Sequence, residues 1–191
     1  NILCRVEGII ENDCLSRVYW TDNKNALRTL NLKGNDLHLL DIDELDISPK
    51  AVMQPVNLNA VITGNLPAGA YQYAYKYLTA DGGESTVSPF SQIYHVSSTS
   101  SQSPKTYFGS PSGTVSGDGL QVIIQNADPK FDKIVLYALY YEDLGVPPRV
   151  CIAGEKDINS SSIYFDHVIL EDEVPNGLEE VLIPSNTWDV C

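Results

Sequence analysis

Positive charge is scarce in this sequence. Twelve Lys and Arg stand against 25 Asp and Glu, for a formal net charge of −13 over 191 residues. A surface that acidic repels phosphate backbones and anionic headgroups, so nucleic acid and membrane are not expected partners. Long apolar runs are missing too, and nothing approaches the ~20 residues of a membrane-spanning helix. Histidine is confined to His38, His95 and His167, each alone in its stretch. No G-x-S-x-G, H-E-x-x-H, phosphate loop or G-x-G-x-x-G pattern occurs. Carboxylates are too abundant for any pair of them to mark a glycosidase. The expectation is therefore a chain without catalytic residues, cofactor or metal.

Cysteine is sparse and widely spaced: Cys4, Cys14, Cys151 and Cys191. None forms a C-x-x-C, which speaks against a zinc knuckle or a redox pair. Three pairings are open. Reduced thiols in half-buried strands and a disulfide framework in an oxidising compartment both fit the spacing. The acidic stretch 37–56, with Asp41, Asp43, Glu44 and Asp46, lacks the glycine that a D-x-[DN]-x-[DN]-G calcium loop needs. It reads as a solvated linker, bounded by Pro49 and Pro55.

What is present is a globular composition, 43% hydrophobic and 19% charged. The chain opens on Asn1, shows no basic-then-apolar leader, and ends without a polar taper, as an excerpt or cleavage product of a longer polypeptide would. Residues 1–40 read as short strands, and 37–56 as a short helix or a connector. Ile2–Val6 and Ser16–Trp20 flank Glu11-Asn12-Asp13, a hairpin signal. A turn centred on Asn12 sets Cys4 opposite Trp20 and Cys14 opposite Ile10, which argues mildly against a Cys4–Cys14 bridge. Leu27–Leu32 resumes as a strand.

Residues 57–171 carry the strongest pattern. Seven short segments alternate or run apolar between turn signals: 58–62, 70–78, 91–96, 120–124, 133–141, 149–153 and 162–166. That is the signature of an all-β sandwich. Within the second segment, Tyr71, Tyr73, Tyr75 and Tyr77 recur with period two and must share one face. They fill a core or subunit interface, or they stack on sugar rings. Asp81-Gly82-Gly83-Glu84 is a hairpin turn. Ser, Gly and Pro dominate 97–119, a loop long enough to be mobile or functional, and Tyr107-Phe108 within it is the pair best suited to touch a partner. Residues 172–191 form an acidic tail in which Val181–Pro184, with Leu182, reads as an edge strand stopped by proline. Asn159-Ser160-Ser161 fits a glycosylation acceptor, a pattern common by chance. The candidate interaction residues are Tyr71, Tyr73, Tyr107, Phe108 and Leu182.

Two stretches carry a resemblance. Arg17-Val18-Tyr19-Trp20-Thr21-Asp22 with Leu27–Leu32 resembles the Y-W-T-D repeat of receptor propellers, but one copy without repeats disfavours a propeller. Tyr71–Tyr77 followed by Gly83-Glu84-Ser85-Thr86-Val87-Ser88-Pro89 is similar to fibronectin type III-like domains, and residues 126–166 fit the second half of one. Together they resemble large virion proteins of crAss-like and related tailed phages of Bacteroidetes, of the tail, ring or tail-stabilisation type. The resemblance implies a fibronectin type III/immunoglobulin-like sandwich (57–171) behind a β-hairpin segment (1–56). It implies a structural role through protein–protein contacts, with other virion proteins and further copies of the chain as partners. It also implies assembly in the host cytoplasm. The competing reading is a secreted or cell-surface adhesion or glycan-binding module.

Overall fold

Alternating apolar residues and closely spaced turn signals favour extended chain, and among the described residues every regular element but a single 3₁₀ residue at Leu45 is a strand or bridge. The computed structural model describes residues 5–10, 16–21, 27–33, 45–46, 51–80, 83–97, 110–111, 113–143 and 145–174. Ten strands appear among them, all antiparallel.

The first three form a small sheet of their own, in the order β1 (Arg5–Ile10), β2 (Ser16–Thr21), β3 (Arg28–Asn31). Its register corrects the expected hairpin. Val6, not Cys4, lies opposite Trp20, and Ser16, not Cys14, lies opposite Ile10, so the pairing centres on Asp13. The slip is two residues and so keeps every side chain on its expected face. The last pair is Ile10 with Ser16, so five residues separate the two strands rather than the three of Glu11-Asn12-Asp13. Cys4 and Cys14 lie outside the described residues.

The other seven strands form two sheets. β4 (Asn57–Thr63), β7 (Asp118–Gln125) and β10 (Ser162–His167) pair in the order β10-β7-β4. β5 (Gly69–Leu78), β6 (Tyr94–Val96), β8 (Lys133–Tyr141) and β9 (Arg149–Asp157) pair in the order β6-β5-β8-β9. Side chains from both sheets meet in one core: Tyr71, Tyr73, Tyr75, Tyr77, Leu136 and Tyr140 from one, Leu120, Val122, Ile124, Ile163 and Phe165 from the other. This is an all-β sandwich. Its first strand pairs with its fourth, whereas in a constant-type immunoglobulin domain the first pairs with the second. Full burial of each large apolar side chain contributes roughly 1.5–3 kcal/mol, so this core dominates the stability of the chain.

Two glycines allow the close packing. A Cβ on Gly69 would stand 2.5 Å from a ring carbon of Tyr140 and 2.9 Å from the Tyr141 carbonyl oxygen. A Cβ on Gly154 would stand 2.9 Å from the Phe165 ring, at the point where the β8–β9 register shifts. No larger residue fits either place without moving its neighbours.

Candidate interaction surface

Tyr71 and Tyr73 do not belong to a surface. Both are fully buried, as are Tyr75 and Tyr77, so the row fills the core and has no ring face to offer a sugar or a partner. Period two put the four rings on one face, and the second sheet then covered that face. Tyr107, Phe108 and Leu182 lie outside the described residues.

The buried row is held by its hydroxyls, since a buried O–H without a partner is costly. Tyr71 donates to the Pro67 carbonyl at 2.8 Å, and Tyr140 donates to the Ala68 carbonyl at 3.0 Å. Tyr75 accepts from the Gln54 N–H at 3.3 Å and Tyr77 from the Asp128 N–H at 3.0 Å. The hydroxyls thus tie loop backbone to the core: the segment before β5 through Tyr71 and Tyr140, the segment before β4 through Tyr75, and the segment after β7 through Tyr77. Tyr73 hydrogen-bonds His167 Nδ1 at 2.8 Å, and the imidazole lies edge-on to the rings of Tyr71 and Tyr73. Burial lowers the His167 pKa to about 4. The ring is therefore neutral at pH 7, and its Nε2 has no hydrogen-bond partner. Burial also pushes the phenols of Tyr71, Tyr73 and Tyr75 upward, so none ionises near neutrality. These groups are enclosed in the sandwich and serve its packing. His95 sits exposed in β6, and His38 lies outside the described residues.

The free edge of β5 is closed by a device that the sequence analysis missed. Ser85, Ser88 and Ser91 donate their N–H groups to the carbonyls of Tyr77, Tyr75 and Tyr73, each at 2.9 Å. Each serine Oγ accepts the N–H of the same tyrosine, also at 2.9 Å. Each hydroxyl then donates to the carbonyl of the residue after its own serine. Three residues of this segment span two of β5, a rise of about 2.2 Å per residue, against ~3.3 Å for a strand. The segment is therefore not a strand, which is why β6 begins at Tyr94 rather than at Ser91. The signal was in plain view as S-x-x-S-x-x-S opposite Y-x-Y-x-Y. Val87 and Phe90, carried on this segment, pack over Val135, Tyr137 and Leu139 on the outer face of the sheet.

The remaining sandwich edges are blunted as well. β4 carries a register shift between Leu58 and Ala60, and β6 is three residues long. The Val174 N–H pairs with the Val150 carbonyl beside β9, and Lys156 Nζ reaches the Tyr164 carbonyl on β10. Bulges, short edges and edge lysines are common defences against unwanted strand pairing. β1 has none of them. All six of its residues are exposed, with Val6 at 60%, Ile9 at 54% and Ile10 at 81%, and its outer edge meets no partner among the described residues.

One shallow depression of about 380 Å³ lies at the β9–β10 turn, lined by Lys156, Asp157, Asn159, Ser160, Ser162, Ile163 and Tyr164. The glycosylation-like triplet falls on this turn. Among the described residues no three His, Cys, Asp or Glu side chains gather as metal ligands. Cys151 is buried in β9 with a free thiol, and its burial raises the thiol pKa.

An antiparallel sandwich with a tyrosine-riveted core and a smaller sheet ahead of it defines a β-structural chain whose free surface is strand edge and loop. Comparison with known proteins places that class. The family model described as "Crassvirus muzzle protein" matches residues 5–179, and the chain belongs to that family. The Muzzle protein of Bacteroides phage crAss001 is 25% identical over 147 residues, which is 75% of this chain and 10% of that protein. The chain thus spans about a tenth of the length of this curated relative.

Proposed function

We propose that the chain is a non-enzymatic structural part of a bacteriophage virion, acting through protein–protein contacts. The observation that carries this reading is the muzzle family match, which runs from the first residue of β1 to beyond β10. The site chemistry agrees with it. The titratable groups inside the sandwich are buried and serve packing, and the exposed features are a strand edge and scattered apolar side chains.

In finer terms, the proposal places the chain in a tail or portal-proximal ring of the tail-stabilisation type, alongside other virion proteins and further copies of itself. It assigns 1–56 to an N-terminal hairpin segment and acidic linker, 57–171 to a fibronectin type III-like sandwich, and 172–191 to an acidic tail. The division of β4–β10 into three and four strands around one core supports the sandwich assignment. Tyr107, Phe108 and Leu182 remain its proposed contact residues.

Mass spectrometry of purified virions, combined with native mass spectrometry of the non-reduced protein, tests the proposal. Peptides of this chain at stoichiometric copy number, with free thiols and a discrete oligomer, are expected. Absence from the particle would overturn the virion reading. A monomeric intact protein would remove the homo-oligomer alone.

A further inference from the structure

We infer that the outer edge of β1 is a docking edge, and that its occupant is a β-strand from the rest of the muzzle-type polypeptide, outside residues 1–191. Edge contrast is the first ground. Each sandwich edge is bulged, short, bridged or guarded by lysine, while β1 is six residues long, unbulged and exposed throughout. Unpaired N–H and C=O groups along such an edge form a template for another strand.

The second ground is that, among the described residues, the sheet has no second layer packed on it. Every residue of β2 and β3 is only half-buried, although β2 carries Val18 and Trp20 on one face and Tyr19 on the other. A three-stranded sheet needs a covered apolar face or further strands to be stable. The third ground is length: nine tenths of the matched relative lies outside the aligned region, so a muzzle-type polypeptide has ample chain to supply a strand.

The edge also states what it would accept. Arg5, Glu7 and Ile9 share one face of β1, and Arg5 and Glu7 are ion-paired to each other at 2.7 Å in the open. Val6 and Ile10 lie on the other face, with Gly8 between them. A strand with acid and base beside Arg5 and Glu7, and apolar residues beside Val6, Ile9 and Ile10, would match both faces. The stretch 5–10 is locally neutral within a chain of net charge −13, so docking there avoids the general repulsion. This inference rests on the family membership and not on the oligomeric state.

The test uses the intact virion protein. Hydrogen exchange should show the β1 amides that point away from β2 protected at least tenfold over the unstructured rate. A photo-crosslinker at Ile10, in protein assembled from equal light and ¹⁵N-labelled chains, should yield crosslinks of uniform isotope content to a segment outside 1–191. Ile9→Lys combined with Ile10→Lys should abolish the protection of β1 while leaving exchange in β7 and β8 unchanged, which shows the sandwich still folded. Unprotected amides in the wild type would overturn the inference. Mixed-isotope crosslinks, meaning a second copy, or crosslinks to a different protein would overturn its occupant. Native mass then judges the oligomeric reading separately.

Discussion

The chain contains two β structures made from similar residues with opposite outcomes. In β5 the tyrosines at 71, 73, 75 and 77 are wholly buried, while in β1 the apolar Val6, Ile9 and Ile10 stand mostly in solvent. Strand propensity does not separate them. What does is a second layer: β5 lies in a sheet whose inner face is covered by β4, β7 and β10, and whose free edge is closed by the serine segment. Among the described residues β1–β3 have one layer and an open edge. Burial needs a facing surface, and a domain is built when two layers supply it for each other.

The comparison can be broken most forcefully inside the sandwich. Tyr73→Ala would remove a fully buried ring and its bond to His167, and should cost about 3–5 kcal/mol in urea unfolding followed by circular dichroism. A cost below 1 kcal/mol would mean that the core is not the source of stability.

Acid should weaken the sandwich through His167. Unfolded, this histidine takes up a proton near pH 6.5; folded, it does so only near pH 4. Between those values the unfolded state binds more protons, so stability is complete above about 6.5 and falls as pH drops toward 4. The full effect is about 3 kcal/mol. His167→Phe should flatten this part of the pH profile, and a profile unchanged by that variant would refute the assignment.

Next comes the serine segment. Ser88→Ala leaves the Tyr75 N–H without its acceptor in a buried place, and should cost about 1–3 kcal/mol. Thr86→Ala, one position removed from the pairing serines, is the matched control and should cost less. The smallest effect belongs to β1. Ile9→Lys should change the unfolding midpoint of the sandwich by no more than about 0.5 kcal/mol, the usual range for an exposed site. A larger loss would show that the two β structures are energetically one.

Much of the architecture was legible beforehand. The seven segments between 57 and 171 and the common face of the tyrosines follow from period two, which depends only on the pleat of a single strand. Pairing was not legible, because it joins residues far apart in sequence: Tyr73 lies beside Ala138 on β8, and Asn57 beside Ile123 on β7. The β1–β2 register was missed by two residues, since turn residues at 11–13 mark where a hairpin bends but not how many residues the connection takes: five separate Ile10 from Ser16, not three. Of the candidate interaction residues, Tyr71 and Tyr73 were misread as surface because a one-faced stripe looks the same whether water or a second sheet meets it.

By itself, then, the sequence determined the local matters: extended segments between 57 and 171, one face for the tyrosines, an acidic composition without a catalytic motif, and the likeness to crAss-like virion proteins. Tertiary structure alone decided which sheet covers that face, that His167 is neutral and enclosed, that serines every third residue pair with tyrosines every second, and that β1 stays open. The physical reason is range. Backbone pleat and side-chain polarity act within a few residues, whereas burial is a property of whatever distant segment arrives on the other side.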